Sequence, residues 1–333
     1  MALGIFGLGA LRQIHGIPAS AVQAFVLSLP VVWGFISASF VGLWRAGRLG
    51  PAVADAMDRF AVGTWVAGTA VMAQLLLVAV PAWRPVAIAF GLFAFALWLG
   101  YLSLVLGGAY AIITDRGRLR ATGGILLATV STQSLALLAC QLWPDVGLVR
   151  TLATGLIVLG LLFYAIGMVL VVQRYRRQTH WTLVNDWDNA NCILHGAMSI
   201  SGLAIVQTGL LPEAVGVAAW LAAFGVFVVV ETLELARMTH RVGRFGLRLG
   251  VFTYNVSQWS RNFTFGMFYS FTLALAHPGQ APSALSVLSP LLAWLLAWGK
   301  WVVLFLLLVE TVLWCGARVT WVAQPGHGQE FRG

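Results

Sequence analysis

The feature that most constrains this chain is a run of long apolar stretches joined by short loops. Nine of them, 19–44, 60–81, 86–113, 121–142, 147–172, 189–211, 214–236, 251–276 and 284–317, are each long enough to cross a hydrocarbon core of about 30 Å as a helix. Pro290 suggests a bend in the last stretch, or its start. Only 9% of the residues are charged, where a soluble chain carries about 25%. The expectation is an all-α polytopic membrane protein with one membrane domain, 1–323, and a short tail, 324–333.

The first residues, MALGIFGLGALRQ at 1–13, are apolar but too short to span, and no basic segment precedes them as in a signal peptide. They read as the second half of a truncated helix, which brings the expected number of helices to about ten.

Arginine supports that count. The net charge is +9, and Lys300 is the only lysine. Arg45, Arg48 and Arg59 lie between the second and third stretches, and Arg116, Arg118 and Arg120 between the fourth and fifth. Arg174, Arg176 and Arg177 follow the sixth, Arg237, Arg241, Arg244 and Arg248 follow the eighth, and the tail holds Arg318 and Arg332. The alternate loops are poor in basic residues. Such alternation predicts five hairpins that enter and leave on the cytoplasmic side, with both termini cytoplasmic.

Residues 252–276, FTYNVSQWSRNFTFGMFYSFTLALA, are not a plain lipid-facing segment. An arginine at membrane depth costs several kcal/mol, so it usually faces protein or water. Trp259, Phe263, Gly266 and Ser270 share one helical stripe, and Arg261 points about 200° away from Phe263. An interhelix ion pair to Glu231, Glu234 or Glu310 is the simpler role for Arg261; an electropositive element that favours anions is the other. His195 is either a hydrogen-bonded packing residue or a proton site in the membrane.

Small and hydroxylated residues concentrate in the odd-numbered stretches. Gly63 and Ala67 lie in the third, Thr129 and Thr132 in the fifth, Gly196, Ser199 and Gly202 in the seventh, and Ser260 and Gly266 in the ninth. Such residues allow close packing or line a wet path. Four stretches sharing the property favour an inner ring around a path. With Trp259, these are the candidate pore-lining residues.

No enzyme constellation is present. The six histidines include only one deep in a stretch, and there is no HExxH, GxSxG or Walker motif. Cys140, Cys192 and Cys315 lack CxxC spacing. Neither a metal nor another cofactor is expected. No basic run is interleaved with aromatics on a soluble face, so nucleic acid is not an expected partner.

Four segments resemble a known family in its own helix order. They are VAGTAV at 66–71, VSTQSLALLA at 130–139, HGAMSISGLA at 195–204 and WSRNFTFGM at 259–267. They are similar to the third, fifth, seventh and ninth helices of the tellurite-resistance/dicarboxylate transporter family, which includes the plant slow anion channels. MALGI at 1–5 resembles the MATGI of that family's first helix. The resemblance implies five hairpins in quasi-fivefold arrangement, odd helices around a central pore, a homotrimer, and a phenylalanine gate at Phe263. It also implies a bacterial inner membrane location. Thr264, Arg261, Asn262, Asn191, Cys192 and His195 depart from the family pattern. The expected function is an anion channel or facilitator for chloride, nitrate, sulfite or a C4-dicarboxylate. The alternatives are a proton-coupled dicarboxylate or sulfite exporter, and a membrane accessory subunit without transport.

Overall fold

The computed structural model describes residues 1–114, 120–277 and 287–323. The described secondary structure is helical throughout. The main elements are α1 (Ala2–Leu8), α2 (Ala19–Arg45), α3 (Gly63–Ala79), α4 (Arg84–Thr114) and α5 (Leu127–Leu142). They continue with α6 (Gly147–Arg177), α7 (Ile193–Thr208), α8 (Glu213–Val251), α9 (Gln258–Leu275) and α10 (Ser289–Ala323). Pro290 occupies the first turn of α10, where its missing N–H has no helical partner to lose.

Two expectations change. Where the sequence suggests about ten spans, eight helices among the described residues are long and apolar enough to cross a membrane. The segment α1 is seven residues long. The helix α9 has the length, but Gln258, Arg261 and Asn262 fill its first turns with polar groups. The second change is at 237–250, expected as an arginine-rich loop, which instead continues α8. Nothing in that segment stops a helix until Gly246, whose φ of +75° turns the chain. Arg116, Arg118, Arg332 and the tail 324–333 lie outside the described residues.

The helices sort into inner and outer members. In α3, α5 and α7, 61%, 83% and 78% of the spanning window is buried, against 11–33% in α2, α4, α6, α8 and α10. The outer helices show Val, Leu and Phe side chains to their surroundings, such as Phe35, Leu106 and Phe305. Hydrocarbon tolerates that surface. Each odd-numbered helix packs against the next, α1 on α3, α3 on α5, α5 on α7 and α7 on α9, and α9 packs on α1. Each even-numbered helix packs on the odd one before it.

Glycines set some of these close approaches. A Cβ on Gly196 would overlap Thr264, and one on Gly202 would overlap the Phe271 ring, so α7 and α9 meet almost backbone to side chain. One polar device recurs three times. Trp33 of α2 donates its indole N–H to Thr69 of α3 at 2.9 Å. Trp98 of α4 donates to Thr132 of α5 at 3.0 Å, and Trp220 of α8 to Thr272 of α9 at 3.0 Å. Each threonine hydroxyl donates in turn to the carbonyl four residues back, at 2.8 Å in all three cases. The hydroxyl is thus oriented to receive the indole.

Thr132→Val keeps the shape but leaves the Trp98 indole without its acceptor. The expected cost is about 1–2 kcal/mol, read as a lower thermal midpoint in detergent. Ser103→Ala, at an exposed hydroxyl that bonds only its own helix, should leave the midpoint unchanged.

Candidate functional site

A cavity of about 390 Å³ lies where the C-terminal halves of all five odd-numbered helices converge. The segment after α1 brings Arg12 and Gln13, α3 brings Gln74, and α5 brings Ser134 and Gln141. Gln207 comes from α7, and Met267 and Ser270 come from α9, with His277 just beyond it. No aspartate or glutamate is among the lining residues. Gln74 is fixed by donating its amide to the Ser134 carbonyl at 3.2 Å. Lys300 of α10 donates to the Gln13 carbonyl at 3.1 Å and brings a second cation to that rim. The Gln141 side-chain oxygen and the Ser270 hydroxyl have no protein partner.

Phe263 is fully buried. It sits one helical turn before Met267, on the stripe that carries Met267, Ser270 and Ala274 to the cavity. The fully buried Ala67 lies one turn before the lining residue Val71, and Gly196 one turn before the lining residue Ile200. Ala67 and Gly196, like Phe263, thus stand one turn back from the cavity wall on their own helices.

None of the ten candidate pore-lining residues is on the cavity wall. Gly63 faces Tyr101, with room for no Cβ, and Gly266 faces Ile5. Thr132 serves Trp98. Gly196 and Gly202 accommodate Thr264 and Phe271. Ser199 donates to the His195 carbonyl at 2.8 Å. Thr129 is fully buried, with an unpartnered hydroxyl. Trp259 donates to the Tyr254 hydroxyl at 3.3 Å, and Ser260 is half-buried beside it.

Toward the arginine-rich end, α7, α8 and α9 share a polar knot. Of the three carboxylates open to Arg261, Glu234 is the partner, at 2.8 Å. Glu234 also accepts from the Trp187 indole at 2.9 Å and lies 3.8 Å from Arg237. Arg237 donates to Asn189, which donates to Ser257 at 3.0 Å just before α9. His195 is fully buried, 3.6 Å from Glu231, with the Phe227 and Phe265 rings against it. Among the described residues no group of three or more His, Cys, Asp and Glu side chains is placed to hold a metal ion.

The cavity glutamines escaped the sequence reading, although Gln13, Gln74, Gln141 and Gln207 recur near the ends of four inner segments. That recurrence was the available signal. The choice of Glu234 was also legible in part, because Arg237 follows it at i+3 on one helix face.

Before α7 the chain is clamped by Asp186. Its carboxylate accepts from the Thr182 N–H at 2.6 Å and from Gln178 at 2.9 Å. The Thr182 N–H is the main cause that holds its pKa below the usual 3.8. A depressed carboxylate stabilises the fold above its unfolded value, and that contribution is lost as pH falls through the lower folded value. Amide protection at 178–188, taken relative to intrinsic exchange, should therefore fall below about pH 4, and Asp186→Asn should remove that step. Deeper in, Glu234→Ala strands Arg261 and should cost about 3 kcal/mol in detergent unfolding. Adding Arg261→Met should recover much of the loss.

Scans against protein-family models and against curated proteins return no match.

Proposed function

We propose that this chain is a channel or facilitator for small anions. In this reading α1, α3, α5, α7 and α9 surround a conduit in quasi-fivefold arrangement, and Phe263 closes it. The observation that carries the reading is the cavity, to which all five segments contribute, with Arg12 in its wall and no carboxylate. The cyclic contacts of the odd-numbered helices support the same reading. So does the motif resemblance to the tellurite-resistance/dicarboxylate family, from which a homotrimer follows as a further proposal, while cytoplasmic arginine-rich loops are proposed from the alternation of arginine along the chain.

The physics is simple. An anion entering the cavity exchanges water for amide N–H groups and hydroxyls, in the field of Arg12. Below it, an apolar ring among small residues leaves no room for a hydrated ion, and the narrow apolar zone dewets. Rotation of Phe263 toward space left by its small neighbours would restore a water path. Weak selection among chloride, nitrate, sulfite and C4-dicarboxylates fits a largely apolar wall with scattered neutral amides and no tight charged clamp.

A second reading, proton-coupled export, draws on the buried His195–Glu231 pair. Such a pair can hold one proton in the membrane. Proteoliposome flux separates the two. A channel passes anions without a proton gradient, whereas a coupled carrier accumulates them with one and loses that ability in His195→Gln.

The main test is current in bilayers under chloride, sulfite and malate. Phe263→Ala should raise conductance at least several-fold, and Arg12→Gln should lower anion flux roughly tenfold. Correctly folded wild type and Phe263→Ala that both pass no anion would leave the accessory-subunit reading in its place.

A further inference from the structure

The helix α8 does not stop at the membrane boundary. Up to the break at Gly246, residues 213–245 extend roughly 50 Å at about 1.5 Å each, well beyond a hydrocarbon core of about 30 Å. Between Glu234 and the start of α9 the sequence holds Arg237, Arg241, Arg244, Arg248 and His240, and no carboxylate. At Gly246 the chain turns back on itself. Arg241 Nε donates to the Gly250 carbonyl at 3.1 Å. A Cβ on Gly250 would stand 3.0 Å from the Val242 backbone. The result is a compact basic corner rather than a loose loop.

Its side chains have an unusual combination of properties. Arg237 is engaged with Glu234 and Asn189. Arg244 and Arg248 are exposed, and no carboxylate pairs with either among the described residues. Between and beside them, Phe245, Leu247, Leu249 and Phe252 are 44%, 61%, 62% and 51% exposed. The Arg244 guanidinium lies over the Phe245 ring, 5.2 Å from its centroid. A water-facing loop would not display four large apolar groups so densely, and a lipid-facing one would not carry two guanidiniums without a carboxylate partner. A membrane interface accepts both.

We propose that the corner 237–252 binds the phosphodiester headgroup of an anionic phospholipid, in the leaflet bordering the arginine-rich loops. Arg244 and Arg248 hold the phosphate oxygens through their forked N–H groups. Phe245, Leu247, Leu249 and Phe252 lie in the acyl region. A zwitterionic lipid carries its own cation, which the same arginines repel, so net negative charge is selected. A free phosphate would satisfy the arginines but leave the apolar groups in water. The inference rests on the membrane-spanning fold and not on the anion conduit.

The test is lipid retention by the purified full-length protein from bilayers mixing phosphatidylglycerol and phosphatidylcholine, read by native mass spectrometry. Wild type should retain phosphatidylglycerol preferentially. R244Q/R248Q should lose on the order of 30-fold of that preference, from two basic contacts, while R244K/R248K should keep most of it. F245S/L249S should lower retention of both lipids. Millimolar inorganic phosphate should not displace the lipid. An unchanged preference in R244Q/R248Q, unchanged retention in F245S/L249S, or full displacement by inorganic phosphate, which would point to a free-anion site, would each overturn the assignment.

Discussion

A polar hydrogen inside hydrocarbon cannot fall back on water, and the packing of this protein depends on meeting that constraint. Three tryptophans on outer helices carry such hydrogens, and each meets a threonine on the next inner helix. The acceptor is ready because the threonine has already given its own hydrogen to the turn before it. Each contact joins one hairpin to the next, where apolar packing alone would discriminate poorly between helix faces, since lipid is as apolar as leucine. Small residues then let the inner helices close up on one another.

The interior differs from one end to the other. Near the starts of α7 and α9, charges are buried only in company: Glu234 meets Arg261, Arg237 and the Trp187 indole. Such pairing limits the penalty of desolvating both signs. Near the ends of the inner helices there is instead a space where amides, hydroxyls and Arg12 are set among Leu, Ile, Val and Met side chains. Phe263 is buried between these regimes, one turn before the wall residue Met267. The proposed conduit follows from that polarity, with its wet half away from the arginine-rich loops and its dry constriction near the buried ion pairs.

Much of the helical framework was legible because burying a backbone in hydrocarbon leaves few alternatives to a helix. The starts of α2 and α6 lie where the apolar runs begin. The continuation of α8 through four arginines was not legible, because a charged helix at an interface and a charged loop have similar compositions. Thr132 shows a subtler gap. Its hydroxyl and its place in an inner helix were apparent, but its direction toward Trp98 depends on a helix 34 residues away. Gly196 and Gly202 were apparent as small residues of an inner stretch, yet which neighbour filled the space beside them was invisible.

By itself, then, the sequence determined that this chain has many helices suited to a membrane, which of them stay inside, and where along the chain the charge falls. Those properties are sums over apolar length, small-residue content and arginine placement, and they require no knowledge of contacts. Only the tertiary structure decided that Glu234 would take Arg261, that glutamines of separate helices would face one cavity, and that Arg244 and Arg248 would be left unpaired beside exposed leucines. Those outcomes depend on rotation about each helix axis. A helix period places a residue on a face, but the face becomes a wall, a joint or a surface only when a neighbour is packed against it.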